Sequence, residues 1–69
     1  MARACNEHIV EALEMARQLL LLSDVGDLDR EDDGCGVLYG VIRDCGYKIR
    51  AQAERERKAH QRKGIWDVV

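Results

Sequence analysis

A cysteine and a histidine three residues apart on a helix share one face, and Cys5-x-x-His8 sets a thiol and an imidazole that way. With a third soft ligand the pair suits zinc. With its imidazole as base, the thiol suits nucleophilic attack. A hairpin folded about residue 27 would bring Cys45 within about one turn of both. No fourth ligand is evident, His60 stands far along the chain, and Cys5 and His8 fall on a side expected to be buried. The expectation is therefore core packing and no metal. Cys5, His8 and Cys45 are the only candidates for a metal set, and Cys5 with Cys45 for a thiol pair.

The acidic run invites a calcium reading. From Asp24 to Asp33 there are six acidic residues and one basic residue, Arg30. Started at Asp29, an EF-hand loop would end on Gly40, where a bidentate glutamate is required. Started at Asp27, it would end on Leu38 and place Asp32 at the glycine position. Both registers fail. Gly34-x-Gly36-x-x-x-Gly40 echoes a phosphate loop, but no strand precedes it, no Gly-Lys-Ser/Thr follows, and Asp32 and Asp33 would repel phosphate. Capping of a helix explains the acidic run better, with Asp29 as N-cap and Asp32 three residues on.

Arg50, Arg55, Arg57, Lys58, Arg62 and Lys63 could follow a nucleic-acid backbone. Glu54 and Glu56 interrupt them, and the isoelectric point is about 5.6, so a solvated face or contact with an acidic protein surface is expected instead. Ser23 is the sole serine or threonine. No catalytic constellation emerges, and neither enzymatic activity nor a cofactor is expected.

The elements that carry these residues are helical. Over residues 5–22, Cys5, Ile9, Ala12, Leu13, Ala16, Leu19 and Leu20 fall on one face at 100° per residue, with Met15, Leu22 and His8 along one edge. That arc is wider than one neighbouring helix covers. Residues 23–33 form an acidic turn, where Gly26 is a natural helix stop. Residues 30–63 read as one long second helix, with Cys35, Leu38, Ile42, Cys45 and Ile49 at heptad spacing. Gly34, Gly36, Gly40 and Gly46 each cost about 0.8–1 kcal/mol there. Either the helix starts late, near Val37, or close packing offsets that cost. Gly64 stops the helix and opens a tail over 64–69. The longer second helix is expected to overhang the first by several turns. In this register Leu20 lies near Cys35, Leu13 near Val41, and Ile9 near Cys45.

With 69 residues, 46% of them apolar and 35% charged, the chain is one small helical domain. Its apolar content excludes disorder, and its runs are too short for a membrane span. The N-terminal segment carries acidic residues where a signal peptide would carry an apolar block, so a cytoplasmic setting with reduced thiols is expected.

A single hairpin of this size has too small a core to be secure. The expected architecture is all-α: an antiparallel two-helix hairpin, short helix then long, dimerising into a four-helix bundle. Ile9, Leu13, Ala16, Leu19, Leu20, Leu38, Ile42, Cys45 and Ile49 are the expected dimer core. Residues 1–33 carry a net charge of −6 and residues 34–69 of +4, so antiparallel docking would bring each acidic turn towards the other copy's basic arm. Trp66, Ile65, Arg57, Lys58 and Arg62 are the expected contacts with a further protein, Trp66 being the anchor. Val10, Leu21, Tyr39 and Tyr47 are further candidate contacts. The expected role is a small homodimeric protein-binding module, structural, adaptor or regulatory. The alternatives are a nucleic-acid-binding dimer using the basic end of the second helix and a metal- or thiol-based sensor.

Overall fold

The computed structural model describes residues 2–68 and is all-helical over them, with two helices and no strand. Helix α1 spans Ala4–Leu28 and helix α2 spans Asp33–Arg62. They run antiparallel as a rod 48 Å long and 19 by 13 Å across. Val69, the last residue of the expected tail, lies outside the described residues.

The helix boundaries differ from those expected. α1 continues six residues past Leu22, straight through Gly26. Gly26 is no stop. It is buried under the ring of Tyr39, where a Cβ would overlap ring carbons Cε1 and Cζ. The glycine is needed for close approach inside a helix, and its helix cost is offset there by tertiary contact. The connection shrinks to residues 29–32, a length common in antiparallel helical hairpins. The cap of α2 is Asp32, not Asp29: its Oδ1 accepts from the Cys35 backbone N–H at 2.8 Å. Asp29 instead closes α1, its N–H donating to the carbonyls of Val25 and Gly26. α2 is helical from Asp33, so the late start near Val37 does not occur.

α1 ends in the acidic residues Asp24 and Asp27, which oppose the negative end of its dipole. An arginine answers each one. Arg43 reaches across from α2 to Asp24 at 3.0 Å, and Arg30 folds back to Asp27 at 3.2 Å. α2 has the favourable arrangement, Asp33 in its first turn and His60 and Arg62 in its last.

Moving the turn towards the C-terminus shifts the whole register. Leu20 lies against Gly46, not near Cys35. The helices meet through small residues at seven-residue spacing: Ala16 and Ser23 on α1, Gly46 and Ala53 on α2, all buried. A Cβ on Gly46 would stand 3.0 Å from Leu20 Cδ2 and 3.4 Å from the Ala16 carbonyl. Small residues here let the two backbones approach closely. The expected overhang also disappears, because the last turn of α2 is matched by the first turn of α1.

That open end is closed by polar groups. Asn6 is fully buried. Its Nδ2 donates to the Ile65 carbonyl and to Asp67 Oδ1, each at 2.7 Å. These two bonds fix the amide orientation, so Oδ1 is the acceptor for His60 Nδ1–H at 2.5 Å. Gly64, at φ +73°, lets the chain turn back. The Ile65 N–H bonds the His60 carbonyl and the Gly64 N–H that of Gln61, the Schellman pattern. Asp67 then receives the Arg3 backbone N–H at 3.0 Å and supplies the cap that α1 lacks from its own N-cap side chain.

Candidate functional site

The hairpin hides few apolar side chains. Ala16 and Ala53 are the buried hydrophobic residues among those described. Met15, Leu22, Leu38, Val41 and Ile49 are exposed, while Ile9, Leu19 and Ile42 are half-buried. The heptad stripe of α2 explains this. Ile42, Cys45 and Ile49 recur as a stripe, but its centre points to one side of the hairpin while Gly46 and Ala53 take the place against α1.

Two shallow grooves lie along this side, with Ile49 a wall of both. One, of about 370 Å³, runs between His8, Ile9 and Ala12 of α1 and Ile49, Gln52, Ala53 and Glu56 of α2. The other, of about 510 Å³, is lined by Met15, Gln18, Leu19, Leu22 and Ile49. The first has a floor of small residues and a polar rim. Together they form a continuous apolar face of the kind that marks interaction surfaces.

The expected dimer core divides accordingly. Ile9, Leu19, Leu38, Ile42, Cys45 and Ile49 remain on or beside this face. Ala16 does not: it is wholly consumed inside the hairpin. Leu20 spends its side chain on Gly46. Leu13 is half-buried. Met15, Leu22, Ala12 and Ala53 belong to the face as well; Met15 and Leu22 were legible as the edge of the first helical stripe.

Cys5 and His8 are exposed rather than buried, and the register separates them from Cys45. Gly46 meets Leu20, so its neighbour Cys45 stands roughly 20 Å along the axis from Cys5. His8 pairs instead with Glu11 at 3.7 Å. Among the described residues no group of three or more His, Cys, Asp or Glu side chains is arranged to hold a metal ion. The three cysteines are free thiols.

Of the expected contacts with a further protein, Ile65 and Trp66 are half-buried in the folded-back tail, and the Ile65 carbonyl is held by Asn6. Arg57 is half-buried and paired with Glu54. Lys58 and Arg62 are exposed. Tyr39 is engaged with Gly26, and Tyr47 is exposed with the Arg50 guanidinium 5.0 Å from its ring centre.

Three carboxylates are shifted, all downward. The Arg17 guanidinium, helped by Gln18, holds Glu14 at about 2. Hydrogen bonds from Cys35 lower Asp32, and the Asn6 amide followed by the Arg3 backbone N–H lowers Asp67. These are structural pairings; Glu14, Asp32 and Asp67 line neither groove, and only Gln18, a partner of Glu14, does.

Comparison of the chain with protein-family models, with curated proteins and with solved structures gives no significant match. Among the described residues, no helix is long and apolar enough to cross a membrane.

Proposed function

We propose that this chain is a protein-interaction module that works through the apolar side face, and that it first pairs with a second copy to form a four-helix bundle. The observation that carries this reading is the imbalance between what the hairpin buries and what it leaves out. Among the described residues two alanines are the buried hydrophobic ones, while Leu22, Leu38 and Ile49 stand exposed along one side. A domain of this size supplies about 3–5 kcal/mol from its core at best, and this core is smaller than its composition allows. Burying the side face against another helical pair restores the shortfall, at about 25 cal/mol per Å² of apolar area.

Binding, rather than catalysis, suits the chemistry present. The face is apolar with a rim of His8, Gln52 and Glu56, and it holds no nucleophile paired with a base. Free, separated thiols fit a reducing compartment such as the cytoplasm.

Ile49→Glu tests the reading. Ile49 is shared by both grooves and is 38% exposed at the edge of the hairpin seam, so the helicity of the variant is measured beside its mass. Light scattering after gel filtration is expected to give a dimer for the unmodified chain and a monomer for the variant, with helicity by circular dichroism retained. A variant that remains dimeric would place the interface elsewhere.

A further inference from the structure

The side face carries the Ala12–Ala53 groove towards the open end, the second groove along its middle, and exposed leucines nearer the turn. The groove floored by Ala12 and Ala53 lies towards the open end of the hairpin. Leu38, 51% exposed, and Leu22, 49% exposed, project nearer the turn. Leu38 and Ile49 are eleven residues apart, almost three full helical turns, so they share one side of α2. Leu22 lines the second groove with Ile49. Hole and knob therefore stand on the same side, displaced along the rod.

We infer that the occupant of the Ala12–Ala53 groove is the second copy's Leu38 side, with each copy's turn lying at the other's open end. This rests on the self-association proposed above and adds its geometry. In an interface with two-fold symmetry, if one residue meets another then the reverse contact also forms. An axis crossing the rod near Cys45 and Leu19, midway between groove and projections, lays the Leu38 side of each copy into the groove of the other. Large side chains then meet the floor made by alanines, as interdigitating bundle cores require.

A two-fold axis along the rod would also bring the two faces together, but with both turns at the same end. Charge separates the two arrangements. The turn region from Asp24 to Asp33 holds six acidic residues and only Arg30 against them. At the other end of the molecule Arg3, Arg55, Arg57, Lys58, Arg62 and Lys63 stand against Glu7, Glu11, Glu54, Glu56 and Asp67, so that end is close to neutral. The lengthwise axis stacks acidic turn on acidic turn. The crosswise axis avoids that repulsion and sets each acidic turn beside the other copy's near-neutral end, within reach of Lys63. Peripheral charges of this kind select orientation more than they add affinity.

The arrangement is tested on the unmodified chain. An equal mixture of unlabelled and 15N-labelled protein is treated with a zero-length carbodiimide, and the linked peptides are identified by mass spectrometry. The acidic turn and Lys63 lie at opposite ends of the 48 Å rod, so a direct link between them has to join two copies. Mixed-label links from Asp29, Glu31, Asp32 or Asp33 to Lys63, which shares the Ile49 side of α2, are expected. A chain that sediments as a dimer but lacks those links overturns the arrangement and leaves self-association standing. A chain that sediments as a monomer overturns both. Leu38→Ala is expected to raise the dimer dissociation constant at least tenfold with helicity unchanged, and an unaltered constant would remove Leu38 from the groove.

Discussion

Gly26 lies directly beneath the ring of Tyr39, so close that a single added carbon would overlap it. This contact crosses the hairpin just before the turn and fixes how the two helices are aligned. Gly40 has open space around it. The two positions should therefore respond in opposite directions to alanine. Gly26→Ala is expected to destabilise by about 1–3 kcal/mol through overpacking. Gly40→Ala is expected to stabilise by roughly 0.5–1 kcal/mol through helix propensity alone. Urea unfolding followed by circular dichroism measures both, and equal effects would contradict this alignment.

Asn6 joins three segments at the open end of the rod: α1, the last turn of α2 and the tail. Replacing it by leucine leaves the His60 Nδ1–H and the Asp67 carboxylate without their buried partner. A loss of about 1 kcal/mol is expected, because the stranded His60 and Ile65 groups are only half-buried and Asp67 is open to water. Trp66 fluorescence should shift with it as the tail loosens. Unchanged emission and stability would show that the clasp holds nothing.

The pH dependence follows from Asp67. Its carboxyl is held low by the Asn6 amide and the Arg3 backbone N–H. A folded-state pKa below the unfolded one means that the carboxylate stabilises the fold fully above about pH 4, the unfolded value. That contribution is lost as the pH falls through the folded value. Glu14 and Asp32 share this sign, so the informative quantity is a difference. Stability measured from pH 5 downwards should fall less steeply for Asp67→Asn than for the unmodified chain. Parallel curves would rule out the Asp67 cap.

At the turn, only one aspartate caps α2. The Asp32 side chain accepts from Cys35, whereas Asp29 contributes its backbone to the end of α1. Asp32→Ala should lower the thermal midpoint, and Asp32→Ser should recover much of it, since serine also caps well. Asp29→Ala should change the midpoint much less. The reverse order would restore the earlier helix start expected from the acidic pattern.

The two helices and their antiparallel hairpin were legible from apolar periodicity; the seam between them was not. The apolar stripes suggest a register with Leu20 opposite Cys35, Leu13 opposite Val41 and Ile9 opposite Cys45. The contact is made instead by Ala16, Ser23, Gly46 and Ala53, whose small side chains weigh little in any hydrophobic pattern. Their own seven-residue spacing was the signal available. Gly26 misled for a related reason. Glycine commonly follows the last turn of a helix, and only the ring of Tyr39, thirteen residues on, makes it an interior residue. Asn6 leaves no trace in a hydrophobic pattern, because it is polar and its long-range partners His60, Ile65 and Asp67 come from the far end of the chain. The width of the first helical stripe was the most informative feature: Met15 and Leu22 lie outside the hairpin seam, on the side face.

Sedimentation equilibrium of the unmodified chain from about 1 to 100 µM tests the central claim most directly, that one hairpin cannot cover its own apolar side. A reversible monomer–dimer equilibrium, with the dimer dominant at the upper concentrations, is the expected result. A single folded species of 7.9 kDa at every concentration would contradict it.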